Sequence, residues 1–137
     1  MSKSIKFKTD TYLDSTSVVH NRKNLSNILT DIGRIYTVNN SNIYCKQSTA
    51  TELCSITLPP GLYVVVSTFR YDDSVLSYHF TLAGRALSAY DDSGWVQSTI
   101  SNIVGNENQS VIINCLLWPR NKSITVNGAD ITAIRIK

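Results

Sequence analysis

Leu58-Pro59-Pro60-Gly61-Leu62-Tyr63-Val64-Val65-Val66-Ser67-Thr68-Phe69-Arg70-Tyr71-Asp72-Asp73-Ser74 is the stretch that decides the fold. A proline-glycine turn opens it and an Asp-Asp-Ser turn closes it, and the residues between are mostly β-branched or aromatic. Such a run, bounded by turn residues on both sides, reads as one strand. The same alternation of turn and strand continues in both directions. Candidate strands are Ile35–Val38, Ile43–Lys46, Leu53–Leu58, Leu62–Tyr71, Leu76–Leu82, Arg85–Tyr90, Trp95–Ile103, Val111–Trp118, Ser123–Val126 and Asp130–Lys137. Clusters such as Asn39-Asn40-Ser41-Asn42, Asp91-Asp92-Ser93-Gly94 and Asn127-Gly128 separate them as turns. Eight to ten strands at intervals of roughly 8–12 residues predict a mainly β, antiparallel, jelly-roll-like sandwich over residues 34–137. Strand and helix do not alternate, which excludes an α/β fold.

Two of these strands, Leu62–Val66 and Val111–Trp118, are apolar on both faces. A sandwich strand normally keeps one wet face, so a second apolar face needs a second cover. A subunit interface supplies one, and a loop or the amino-terminal helix supplies another; the residues leave both open.

The chain is 137 residues long with 42% hydrophobic and 17% charged residues, the size of one domain with one core. Serine, threonine and asparagine make up about 31% of it, a composition of turns and solvent-facing strand positions rather than of long helices. The net charge of +3 is not gathered into a basic tract. Lys3, Lys6 and Lys8 alternate with Ile5 and Phe7, the pattern of an edge strand with charged guards, so nucleic-acid binding is not expected. No apolar run approaches the length of a membrane span, and MSKSIKFKTD lacks a signal-peptide core, so no membrane partner is expected and synthesis is assigned to a cytoplasm.

Ahead of the β-region, residues 1–16 read as an extended arm and residues 17–33 as a short helix. Leu25, Ile28, Leu29 and Ile32 fall at i, i+3, i+4 and i+7, with Asn24 as cap and Gly33 as stop. A helix of about ten residues is marginal alone in water, so this stripe must pack against the β-core or against copies of itself. Its place between an arm and a β-head favours self-association.

Candidate chemistry is sparse, and the chain reads as non-enzymatic. His20 and His79 lie far apart without metal-ligand spacing, and His79, within Ser77-Tyr78-His79-Phe80, reads as a strand residue with a satisfied ring nitrogen. The echo Tyr71-Asp72-Asp73-Ser74 and Tyr90-Asp91-Asp92-Ser93 holds paired carboxylates that a glycosidase or a calcium site would use if the two turns met, but turn chemistry accounts for them more simply. No nucleotide-binding motif, metal site or cofactor site is expected. Cys45, Cys54 and Cys115 form neither a CxxC pair nor a disulfide framework, although Cys45 and Cys54 are spaced to face each other across a hairpin. Tyr71, Tyr90 and Trp95 lie at or beside turns, where exposed rings stack on sugars; the same residue types also serve as core.

Three segments resemble small fibre and appendage proteins of tailed bacteriophages. Leu13-Asp14-Ser15-Thr16-Ser17-Val18-Val19-His20-Asn21-Arg22-Lys23-Asn24-Leu25-Ser26-Asn27-Ile28-Leu29 is similar to the lead-in of phage head-fibre, baseplate and tail-fibre heads. Leu58-Pro59-Pro60-Gly61-Leu62-Tyr63-Val64-Val65-Val66-Ser67 resembles their L-P-x-G-x-Y-x-V strand, and Val126-Asn127-Gly128-Ala129-Asp130-Ile131-Thr132-Ala133-Ile134-Arg135-Ile136-Lys137 resembles their final strand, which closes on L-x-A-I-R-I-x. The resemblance implies a homotrimer with a TNF/C1q-like jelly-roll knob, a three-helix bundle through Leu25, Ile28, Leu29 and Ile32, and an arm docked on a capsid or baseplate protein. The expected protein is thus a virion fibre whose head contacts host-surface glycans through Tyr71, Tyr90 and Trp95. The chain has no repeats and no long shaft, which favours a compact capsid or baseplate decoration over a long tail fibre. The rival readings are a stand-alone carbohydrate-binding module and a small glycan-degrading enzyme.

Overall fold

The computed structural model describes residues 31–137 except Ser74. The predicted arm and the stripe residues Leu25, Ile28 and Leu29 lie outside the described residues. Arg34–Lys137 forms one compact unit of eight strands: β1 (Ile35–Cys45), β2 (Thr51–Leu58), β3 (Gly61–Tyr71), β4 (Leu76–Leu82), β5 (Arg85–Asp91), β6 (Val96–Asn106), β7 (Val111–Pro119) and β8 (Ile124–Arg135). They form two four-stranded antiparallel sheets, β1-β8-β3-β6 and β2-β7-β4-β5.

The pairings are nested. β4 pairs β5, β3 pairs β6, β2 pairs β7 and β1 pairs β8. The chain is therefore one long antiparallel ribbon whose tip is the β4–β5 hairpin, and wrapping that ribbon sets β3 against β8 and β4 against β7. This is the winding of a jelly roll. The tip turns on two residues, Ala83 and Gly84, both with positive φ (49° and 84°), the handedness that matches strand twist.

Two expected turns are not turns. Asn39–Asn42 and Asn127-Gly128 lie inside β1 and β8, and they face each other: Asn39 is opposite Asp130, Asn40 opposite Ala129 and Ser41 opposite Gly128. With turn-prone residues on both strands at one place, the ladder runs through them, and Asn42 adopts φ 54°. Ten expected strands thereby become eight.

Alternation places one face of each sheet inside. On β3, Tyr63, Val65, Ser67, Phe69 and Tyr71 are buried, and on β4 Leu76, Tyr78, Phe80 and Leu82 are buried. The sheets meet through aromatic edges: Phe69 packs on Tyr78 at 5.1 Å and 89° and on Phe80 at 4.8 Å and 75°. Two buried hydroxyls have partners, with Ser67 Oγ donating to Asp130 O (2.7 Å) and Tyr63 Oη to Pro59 O (2.8 Å).

Phe69→Ala removes the ring common to both aromatic contacts and is expected to lower the unfolding free energy by about 3–5 kcal/mol. Gln97→Ala, on the exposed face of the same sheet, is expected to change it by less than about 0.5 kcal/mol. Chemical denaturation checks both, and equal losses would overturn this placement of the core.

Candidate functional site

The ladder gives the sandwich two distinct ends. Arg34, the Pro59-Pro60 turn, the Ala83-Gly84 turn, the 107–110 loop and Lys137 lie at one, the proximal end. Arg135 N donates to Arg34 O (2.9 Å) and Leu62 N to Lys137 O (2.8 Å), which ties the first and last residues of the unit together. At the distal end lie the 46–50, 72–75, 92–95 and 120–123 loops. The pairs Tyr71–Val96 and Leu76–Asp91 bring the two Asp-Asp-Ser turns to this same end.

Those turns are held by their own polar groups. Asp91 Oδ1 accepts from Ser93 N (2.9 Å) and Ser93 Oγ (2.6 Å), bonds that keep its carboxyl below the ordinary aspartate range. Asp73 Oδ2 accepts from Tyr71 Oη (3.2 Å), and Asp72 N donates to Asn127 Oδ1 (2.8 Å). Among the described residues no group of three or more His, Cys, Asp or Glu is placed to hold a metal ion, and no helix is long and apolar enough to cross a membrane.

The three aromatic candidates do not share a face. Tyr71 is buried on the inner face of β3, with the Lys122 ammonium 5.6 Å from its ring centroid. Tyr90, on the outer face of β5, is 66% exposed, and Trp95, in the distal 92–95 loop, is 56% exposed. Of the helical stripe only Ile32 is described, and it is exposed. Gly33 has φ 83°, in the left-handed region that glycine favours. His79 Nδ1 lies 2.6 Å from Ser88 Oγ across the β4–β5 ladder, a satisfied strand histidine on the sheet's outer face.

Both doubly apolar strands leave their second face outside. On β7, Ile112 is 72% exposed and Trp118 is also exposed. On the outer face of the first sheet, register assembles a row that runs across all four strands: Ile35 on β1, Ile134 on β8, Val64 on β3 and Ile103 on β6. Ile35 and Ile103, at its two ends, are 63% and 66% exposed. Ile136 and Leu62 adjoin this row at the proximal end, where Ile136 N donates to Leu62 O (2.8 Å). Away from that end the rows turn polar: Thr37, Thr132, Val66 and Ser101, then Asn39, Asp130, Thr68 and Thr99. Sequence reading found Leu62 and Val64 in this patch. It missed Ile35, Ile103 and Ile134, which sit in strands of mixed polarity, and only strand register brings them together.

The three cysteines are buried and free. Cys54 faces Cys115 across the β2–β7 ladder, so the spacing of Cys45 and Cys54 does not mark a hairpin pair. Burial pushes the Cys45 thiol up to about 11, against a smaller lowering by Thr51. Burial, then the neighbouring Cys115, pushes Cys54 up to about 12. Cys115 is raised too, chiefly by burial, with Ser67 acting in the opposite direction.

No protein-family model matches the sequence, and no curated protein matches it. The fold is a wrapped two-sheet sandwich that viral structural proteins share. PRD1 vertex protein P5 has a TM-score of 0.55 to this chain at 12% identity, over 77% of this chain and 99% of that one. The capsid chain in the T13 particle of infectious bursal disease virus (IBDV) has a TM-score of 0.54 at 14% identity, over 77% of this chain and 32% of that one. This chain therefore spans about a third of the IBDV chain but matches nearly all of the P5 chain. At these identities the likeness is one of fold.

Because the thiols are raised above their ordinary value near 9, they favour the folded state below about pH 9, and that stability is lost as pH rises towards 11. A thiol-specific chromogenic reagent at pH 8 is expected to modify none of the three cysteines in the folded protein and all three in denaturant. Rapid modification of folded protein would overturn this burial.

Proposed function

We propose that this chain is a non-enzymatic virion structural protein, a small homotrimeric fibre or capsid decoration. Residues 1–16 dock on a capsid or baseplate protein, and residues 17–33 associate through Leu25, Ile28, Leu29 and Ile32. The 34–137 jelly roll is the head. The observation that carries this reading is the polarity of the head. Its first and last residues and the four-strand aliphatic row share the proximal end, while the distal loops carry Trp95 and the paired aspartates. A head joined to its support at one end and facing its surroundings at the other has that division. The fold it shares with a vertex protein of PRD1 along nearly that whole chain supports the virion assignment.

Glycan contact is assigned to the distal region through Trp95 in the 92–95 loop and to Tyr90 on the outer face of β5. Both rings are open to solvent, as stacking on a sugar requires. Tyr71, the third residue of the set, supports the distal loops from beneath through its hydroxyl bond to Asp73.

Multi-angle light scattering of the full chain at micromolar concentration is expected to give the mass of three chains. The double variant Leu25→Asp, Ile28→Asp is expected to lose that mass while keeping the β-signature in circular dichroism. A wild-type monomer would overturn the fibre reading. Glycan-array binding that Trp95→Ala abolishes would support the contact assignment, and binding unchanged in Trp95→Ala and Tyr90→Ala would remove it.

A further inference from the structure

We infer that the outer face of the β1-β8-β3-β6 sheet is where three copies of this chain meet, with the Ile35–Ile134–Val64–Ile103 row turned towards a common axis. The inference rests on the three-chain reading above and assigns its head-to-head contact to particular residues.

Three features support a second copy as the occupant. The first is area. Ile35, Ile103, Ile134 and Ile136 are all exposed, so the row with Leu62 and Ile136 offers an aliphatic strip on the order of a few hundred Å², the size of a large monomer patch and less than the roughly 800 Å² each partner buries in a stable complex. The remainder is available beside it, because the next row, Thr37, Thr132, Val66 and Ser101, is small and uncharged. The second is charge. No member of either row is ionised, so identical faces meet without repulsion, whereas the first acid on this face, Asp130, lies one row further towards the distal end. Contact is thereby confined to the proximal half.

The third is the state of the edges. Solvent-facing edge strands ordinarily carry charges or proline that prevent pairing with another chain. Both edges of the other sheet do, with Glu52 on β2 and Arg85 and Asp91 on β5. β1 and β6, the edges of the first sheet, are each 11 residues long and contain no charged residue and no proline. Four strands span about 14 Å, so three such faces set round one axis enclose a channel narrow enough for isoleucine side chains to fill from three sides. At each corner of that prism β1 of one copy comes beside β6 of the next. The most exposed members of the row, Ile35 and Ile103, lie on those two strands. The contact is heterologous and closes as a ring.

The test compares full-length variants by light scattering across a concentration series. Ile35→Lys, Ile103→Lys is expected to raise the concentration at half-dissociation at least tenfold. Ile112→Lys, at an equally exposed isoleucine on the other sheet, is expected to leave it unchanged. A readout that does not rely on a charged variant folding is cross-linking of Ile35→Cys, Ile103→Cys with a short bis-maleimide. A covalent three-chain band on a denaturing gel is expected, the native cysteines being buried. A wild-type monomer overturns the three-chain reading and this inference with it. A wild-type trimer that the paired lysines leave intact, with no intermolecular cross-link, overturns the interface alone and assigns the cover of the row to the chain's own amino-terminal segment or to another protein.

Discussion

The structure depends on two pairings that are remote along the ribbon, β3 with β8 and β4 with β7. Nested hairpins alone give a flat ribbon with two wet faces. Only when its flanks fold over and these interior pairs form do two four-stranded sheets exist, and only then does each have an inner face to bury. The aromatic contact of Phe69 with Tyr78 and Phe80 links the two results, since Phe69 stands on β3 and its partners on β4. Ser67 adds a polar tie within the same wrap, bonding the carbonyl of Asp130 on β8.

The wrap also sorts chemistry by position. Because β1 and β8 run antiparallel side by side, the two extremities of the unit emerge together, and all four distal connections fall at the opposite pole. Residues of unrelated sequence position thereby acquire common surroundings. Ile35 and Ile134 are 99 positions apart yet are direct neighbours on the outer face. The serine, threonine and asparagine surplus occupies what remains of that face, as in the hydroxyl contacts of Thr37 with Thr132 (3.4 Å) and Thr68 with Thr99 (2.9 Å). Neutral polar groups make up most of the remaining surface, and its aliphatic part stands out against them.

Strand identity was legible in the sequence because local turn chemistry and β-branched runs mark each strand where it stands. That reasoning failed where two turn signals came to face each other. Asn39–Asn42 and Asn127-Gly128 carry turn residues, but a ladder across both strands outweighs either local preference, and nothing local to one segment encodes the other. The candidate site was legible to the same extent. Leu62–Val66 and Val111–Trp118 announced uncovered faces by being apolar at consecutive positions. Ile103 did not, since Ile103-Val104 is an apolar pair too short to announce an uncovered face between Asn102 and Gly105, and Ile103 gains significance only from Val64 beside it. Tyr71 and Tyr90 look equivalent within their matching Tyr-Asp-Asp-Ser segments, and strand parity alone sends one ring inward and the other out.

β8 is the last strand in sequence and lies between β1 and β3 in the interior of its sheet. A chain leaving the ribosome amino terminus first therefore has β1 with no ladder partner, and β3 with only β6, until β8 emerges. The sheet is completed only when β8 docks, a step that joins residues as remote in sequence as Ile35 and Ile134, and contacts of such separation slow folding. For that interval the apolar strands β3 and β7 are exposed in every nascent copy. Until β8 reaches its place, the neutral edges of β1 and β6 lack the charges and proline that ordinarily guard a strand against pairing with another chain.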